Sequence, residues 1–193
     1  DNDNYYYVNE SGVMVRNQWR ELENDDPQDD DESDTVWYYF GADGKAYKAK
    51  DSGRVNFKSI VRADGVTKKY AFDEEGKMLY GWIDEQGERQ TGDDAWQTGV
   101  YYLGGADDGA MRSHQWERLD VVDDDQTNDE FQDWYWFYFN ANGKKAADTN
   151  KTINGRKYYF EEYGNARFSW YASSSNASVA TPSFYSPIQD SWM

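Results

Sequence analysis

Short aromatic-rich stretches punctuate this chain, and their side chains fall alternately on two faces in the two-residue period of a β-strand. "WYYF" at 37–40, "KKYAF" at 68–72, "WFYF" at 136–139 and "RKYYF" at 156–160 are the clearest. Each runs into a polar turn with a Gly, and a second short stretch follows. This layout predicts a β-hairpin whose Gly supplies a positive φ.

The phrase recurs six times: "YYYVNESGVMVRNQW" (5–19), "WYYFGADGKAYKAK" (37–50), "KKYAFDEEGKMLYGW" (68–82), "VYYLGGADDGAMRSHQW" (100–116), "WFYFNANGKKAADT" (136–149) and "RKYYFEEYGNARFSW" (156–170). Recurrence of this kind marks a repeat architecture. The expected fold class is all-β: an elongated, β-solenoid-like array of hairpins with no long helix.

A larger period lies above the small one. "QWREL" (18–22) is answered by "QWERL" (115–119), and each leads through an acidic stretch to an aromatic strand. Trp37 and Trp136 are 99 positions apart, as are Gly44 and Gly143, whereas Trp82 and Trp170 are 88 apart. The difference falls in "KDSGRVNFKSIVRADGV", which shrinks to "NKTING". Two triple-hairpin units are therefore expected, at 1–98 and 99–189, with "DSWM" (190–193) opening a third in a longer parent protein.

Alignment on the turn Gly assigns Tyr38 and Phe40, Tyr70 and Phe72, Phe137 and Phe139, and Tyr158 and Phe160 to an interior face, with Tyr6, Val8, Tyr101 and Leu103 at matching positions. The other face carries Trp37, Tyr39, Trp136, Tyr138 and Tyr102. In the third hairpin its equivalents are Lys69 and Ala71, expected in solvent. A face that varies this much is the expected ligand face. Exposed rings there suit a quaternary ammonium or the apolar C–H face of a sugar. Residues expected to bind are Trp37, Tyr39, Trp136 and Tyr138, with the closing Trp19, Trp82, Trp116 and Trp170.

Composition narrows the chemistry. Nine Trp, seventeen Tyr and nine Phe must supply most of the buried area, which predicts a thin aromatic core. The net charge of -17 argues against nucleic acid and anionic membrane surfaces, and leaves cationic or neutral ligands open. Without Cys there is neither a disulfide framework nor thiolate chemistry. No apolar run approaches the ~18 residues of a membrane span, and the opening "DNDNYYY" has none of the parts of a signal peptide.

His114 is the sole histidine, in "MRSHQW" where the first hairpin has "VRNQW", so a Ser-His-Asp triad has one place only to form. No phosphate-cradling Gly loop is present. No catalytic residue and no cofactor are assigned, and the chain is read as no enzyme. The acidic runs offer Asp29, Asp30, Asp31, Asp123, Asp124 and Asp125 as hard oxygen ligands for Ca²⁺, but without EF-hand spacing, so a solvated loop is the plainer reading.

"YAFDEEGKMLYGW" and "WYYFGADGKAYK" resemble the choline-binding, or cell-wall-binding, repeats of Gram-positive surface proteins, whose relatives include glucan-binding and clostridial toxin repeats. The likeness covers most of 5–170. It implies a hairpin solenoid, secretion, attachment to a wall polymer such as choline-bearing teichoic acid or to a glucan, and no catalysis by the repeats. The family's choline cage draws aromatic residues from neighbouring hairpins. Only Trp82 keeps the family's GW pair; Trp19 and Trp116 read "QW" and Trp170 reads "SW". The resulting expectation is a non-catalytic extracellular module. A purely structural stalk or protein-interaction repeat is the alternative, with a fragment of a glycan-processing enzyme as a lesser one.

Overall fold

The computed structural model describes residues 3–27, 32–50, 53–121 and 134–171, with side chains as far as 166. The described residues are almost wholly β. In chain order they form β1 (Gln18–Glu23), β2 (Thr35–Phe40), β3 (Lys58–Val61), β4 (Thr67–Tyr70), β5 (Trp82–Ile83), β6 (Arg89–Gln90), α1 (Ala95–Thr98), β7 (Tyr101–Tyr102), β8 (Gln115–Asp120), β9 (Trp134–Phe139), β10 (Thr149–Ile153), β11 (Arg156–Phe160) and β12 (Ala166–Tyr171). The single helix is one turn long.

One turn recurs throughout. Residue i donates its N–H to the carbonyl of i+4, and a Gly at i+3 donates back to i: Asn9–Val13, Gly41–Lys45, Arg62–Val66, Asp73–Lys77, Asp84–Glu88, Asn140–Lys144 and Glu161–Asn165. The glycines have φ of 78 to 93°, a region where a Cβ is strained. Two of these turns, at 62–66 and 84–88, lie outside the six phrases.

The strand ladders are placed differently from the expectation. Within a phrase the pairing around the turn shrinks to single bridges, Val8↔Met14, Phe40↔Ala46, Phe72↔Met78 and Phe139↔Lys145. The exception is β11 with β12. Long antiparallel ladders instead join the end of one phrase to the start of the next. β1 pairs with β2 from Gln18↔Phe40 to Glu23↔Thr35, and β8 pairs with β9 from Gln115↔Phe139 to Asp120↔Trp134. β3 with β4 and β10 with β11 are two more, but there the first strand lies almost wholly in the segment between two phrases. The acidic stretches thus connect the two arms of a hairpin. The reason is legible in "QWRELE": it extends the strand beyond the closing Trp, and its Leu22 meets Val36 across the ladder.

The phrase at 100–116 does not pair with itself in this way. Its turn is longer, closed by Asp108 and Gly109 donating to Gly105, and its arms bond elsewhere: Leu103 donates to Gly81 and Met111 to Lys69.

The chain forms two compact units. The first holds residues Asp1–Arg89 and Tyr102–Met111. The second holds Gln90–Tyr101 and the described residues from Arg112 onward.

Much of the assigned interior is buried. Phe40, Tyr70, Phe72, Phe137, Phe139, Tyr158, Phe160, Tyr101 and Leu103 are inside, and Tyr38 is half-buried. Tyr6 and Val8 are 49% and 55% exposed, which corrects their assignment to the core. The two-face division also needs correction. Phe137, Tyr138 and Phe139 are consecutive and all buried, and Ala71 is buried rather than solvated. Lys69 is exposed as expected. In the first unit Trp37 and Tyr39 pack against Tyr70 and Phe72 in one cluster. The outer face of one hairpin is the surface on which the inner face of the next lies, so both faces lose water.

Candidate functional site

In the first unit β2 sets Trp37 and Tyr39 two residues apart on one face, and β1 sets Trp19 directly opposite Tyr39. The β3–β4 hairpin then brings Tyr70 and, past its end, Phe72 onto Trp19. Trp19 lies 5.2 Å from Tyr39 at 65°, 4.8 Å from Tyr70 at 66°, and 5.8 Å from Phe72 at 30°. Trp37 stands edge-on to Trp19 at 6.5 Å and 80°. Edge-to-face and offset-stacked contacts at these separations are the favourable ring geometries.

Two backbone bonds lock the frame. Met78 donates to the Trp37 carbonyl at 2.8 Å, and Met111 donates to the Lys69 carbonyl at 2.9 Å. The first fixes Met78 against the rings. The second ties in the segment that carries Asp107, Asp108 and Ala110. Close packing demands Gly at 109, where a Cβ would lie 2.3 Å from the Met78 sulfur.

These elements enclose a cavity of about 370 Å³ lined by Trp19, Trp37, Tyr70, Met78, Arg62, Asp107 and Asp108. The indole Nε1 of Trp37 donates to Asp107 Oδ1 at 3.2 Å, which fixes the ring's orientation. Arg62, also in the lining, is ion-paired with Asp64 at 3.2 Å, and Asp107 and Asp108 bring two carboxylates to the same spot. Burial, followed by Arg62 acting oppositely and then by Asp108 and Asp64, raises the Tyr70 hydroxyl above its ordinary range and keeps it neutral. Aromatic rings, a thioether, a guanidinium and carboxylates thus converge at one spot.

The second unit repeats the wedge. Trp116 lies 5.3 Å from Tyr138 at 67°, 4.8 Å from Tyr158 at 66°, and 5.6 Å from Phe160 at 29°. Trp136 packs against the same cluster. Position 166, which follows the turn as Met78 does in the first unit, is an Ala.

The expected binding residues are thus distributed unevenly. Trp19, Trp37 and Tyr39 come together, and the first two line the cavity. Trp116 and Trp136 pack against the same cluster in the second unit, both half-buried. Tyr138 is 6% exposed and Trp82 is 7% exposed, the latter packed 5.3 Å from Tyr102, so neither presents an open ring face. Trp170 pairs through its backbone with Lys157, and its side chain lies outside the described residues. So do Asp29, Asp30, Asp31, Asp123, Asp124 and Asp125. Among the described residues no group of three His, Cys, Asp or Glu is placed to hold a metal.

Tyr70, Met78 and Asp107 complete the site without having been singled out for it. Tyr70 had been assigned to the interior on strand parity, which is correct, but it is one wall of the cavity as well. Met78 stands in "GKMLYGW", and a Met after the turn was the available signal.

No protein-family profile and no curated protein matches the sequence. Solved structures do resemble it in fold. Choline-binding protein F in complex with ipratropium shares 23% identity at a TM-score of 0.48, over 91% of this chain and 64% of that one. The Streptococcus pneumoniae protein of the same name, in the presence of a peptidoglycan analogue, shares 21% at 0.47, over 91% and 63%. A truncated alternansucrase from Leuconostoc mesenteroides shares 17% at 0.42, over 74% of this chain and 10% of its own. The chain therefore spans a little under two thirds of the choline-binding proteins it resembles.

Proposed function

We propose that the chain is a non-catalytic, extracellular binding module that holds a surface or secreted protein of a Gram-positive bacterium to a wall polymer carrying quaternary ammonium groups. The observation that carries this reading is the cavity of the first unit, where Trp19, Trp37 and Tyr70 surround a space flanked by Asp107 and Asp108. A trimethylammonium head has no N–H to donate, so it is recognised by ring faces and a negative field rather than by acceptors. Each ring contributes roughly 0.5–2 kcal/mol according to desolvation. A single site of that kind is weak, and a repetitive polymer compensates by multivalency.

Nothing at the site resembles a reaction centre: the lining offers no nucleophile beside a base. The test is a titration of the chain with choline chloride, followed by tryptophan fluorescence and calorimetry, beside retention on choline resin, insoluble glucan and purified cell walls. Saturable choline binding that disappears in Trp37→Ala supports the reading. Retention on glucan alone, with no response to choline, refutes the ammonium assignment.

A further inference from the structure

A larger cavity of about 560 Å³ lies in the first unit and shares only Met78 with the lining of the ammonium cavity. Polar contacts between distant segments build it. Asn24 Nδ2 donates to the Ser33 carbonyl at 3.1 Å, and Lys77 Nζ donates to Asn24 Oδ1 at 3.0 Å. The Ser33 N–H donates to the Tyr80 hydroxyl at 3.3 Å, and the Val55 N–H to the Glu85 carbonyl at 2.9 Å.

Arg89, in the same lining, is poorly satisfied. Its guanidinium lies 3.9 Å over the Tyr80 ring, and its side chain is 21% exposed. Glu32 is the carboxylate beside it, but Oε1 is 4.0 Å from Nη1, too far for a hydrogen bond. Glu32 Oε2 accepts from Asn24 Nδ2 instead, at 3.4 Å. The Arg89 Nε is buried and has no acceptor among the described residues. Unmet donors of a buried cation are costly. Stacking on Tyr80 thus orients a donor fork whose acceptor has to come from outside the chain.

That fork matches a planar carboxylate, held through paired hydrogen bonds. The rest of the lining selects among carboxylates. Asp73, Glu74 and Glu88 repel a polyanion and favour an ammonium on the same ligand. Lys77 does not cancel them freely, because it is engaged by Asn24 and by the Asp26 carbonyl. The guanidinium occupies a face of Tyr80, and Phe72, the other ring of the lining, is buried, so stacking is not what this cavity offers. We infer that Arg89 anchors the carboxylate of a small zwitterion of the amino-acid or short-peptide class in this cavity. A space of this size accommodates a short peptide.

The test titrates the full ¹⁵N-labelled chain with alanyl-alanine, with the C-terminal amide of that dipeptide, and with inorganic phosphate. Alanyl-alanine should shift the backbone amide signals of Ser33, Tyr80 and Gly87 saturably. Its amide form should bind about tenfold more weakly, because the charge-assisted bonds are lost. Arg89→Lys keeps the charge without the fork and should also weaken binding about tenfold, with an unchanged response to choline. Glu32→Gln removes the competing carboxylate and should tighten binding about threefold, the scale of one weak ion pair. The inference is overturned if alanyl-alanine leaves the signals in place, if the amide form binds as the acid does, if phosphate moves them and the dipeptide does not, or if both variants bind as the parent does. The first three outcomes are read on the parent chain and stand whether or not a variant folds.

Discussion

The indole of Trp19 meets the ring of Tyr70 edge to face, 4.8 Å apart at 66°, and Trp116 meets Tyr158 at the same distance and angle. Trp19 and Trp116 therefore wedge between their own hairpin and the next, and both are structural before they are anything else. Trp116→Ala should cost part of the roughly 3–5 kcal/mol seen for a fully buried aromatic, because the indole is half-buried. Thermal denaturation of Trp19→Ala and Trp116→Ala should show large and similar losses.

Trp37 differs. Like Trp19 it is half-buried and lines the cavity, but its indole N–H is held by Asp107. Trp37→Ala should leave a folded chain and abolish measurable choline binding. Trp37→Phe should keep part of it. Equal loss of stability in Trp37→Ala and Trp19→Ala would make Trp37 a packing residue.

The field of Asp107 and Asp108 is exposed to screening. Asp107→Asn should weaken choline binding about threefold to tenfold and flatten its dependence on salt, because charge attraction near the surface fades over a Debye length of roughly 10 Å at 0.1 M. Calorimetric titration at two ionic strengths in parent and variant checks both parts. Binding unchanged by the substitution would remove the carboxylate from the site.

Asp73 carries a pH dependence. Burial raises its carboxyl from 3.8 to about 6, against the lowering effect of the Lys77 N–H and the further rise due to Glu75. Between about 4 and 6 the folded chain therefore binds more protons at this group than the unfolded chain does. Its contribution to stability is full below about 4 and is lost as pH rises through about 6, by on the order of 2–3 kcal/mol. Asp73→Asn keeps an acceptor for the Lys77 N–H, which lies 2.8 Å from Oδ1. The variant should be more stable than the parent at pH 7 and lose that advantage at pH 4. Denaturant titrations at the two pH values decide it.

Lys145 ends the one helical turn. Its ammonium donates to the carbonyls of Trp96, at 2.6 Å, and Gln97, at 3.1 Å, and burial lowers its pKa to about 8. Lys145→Met should cost about 1–3 kcal/mol, because two carbonyls lose a charged donor. Trp96 packs on Tyr135, Phe137 and Tyr163, so its fluorescence should shift as the turn loosens.

What the residues revealed in advance was the repetition and the class of fold. Aromatic parity marked Phe40, Phe72, Phe139 and Phe160 as interior, and all four are buried. The fifteen-residue phrase concealed where the ladders run. A turn with Gly reads as the tip of a hairpin, but a tip needs only one bridge, and the longer pairing of Trp19 with Tyr39 spans an acidic stretch whose charge reads as a solvated loop. The cavity stayed hidden for a related reason. Parity separates Trp37 from Tyr70 by face within a hairpin and is silent on the stacking of one hairpin upon another, which is where the two rings meet.

The displacement of the ladders from the phrases has a consequence for how such chains lengthen and shorten. The first and fourth phrases end on the opening residues of β1 and β8, and the second and fifth begin on their partners β2 and β9. At those two junctions a duplicated segment brings with it the strand that its neighbour pairs with. Excision at phrase ends would leave β1 or β2 bare, with unpaired backbone groups along six residues. Copying and folding thus run out of phase by half a hairpin, and that offset lets the number of repeats change through recombination while each strand keeps the kind of partner it already had.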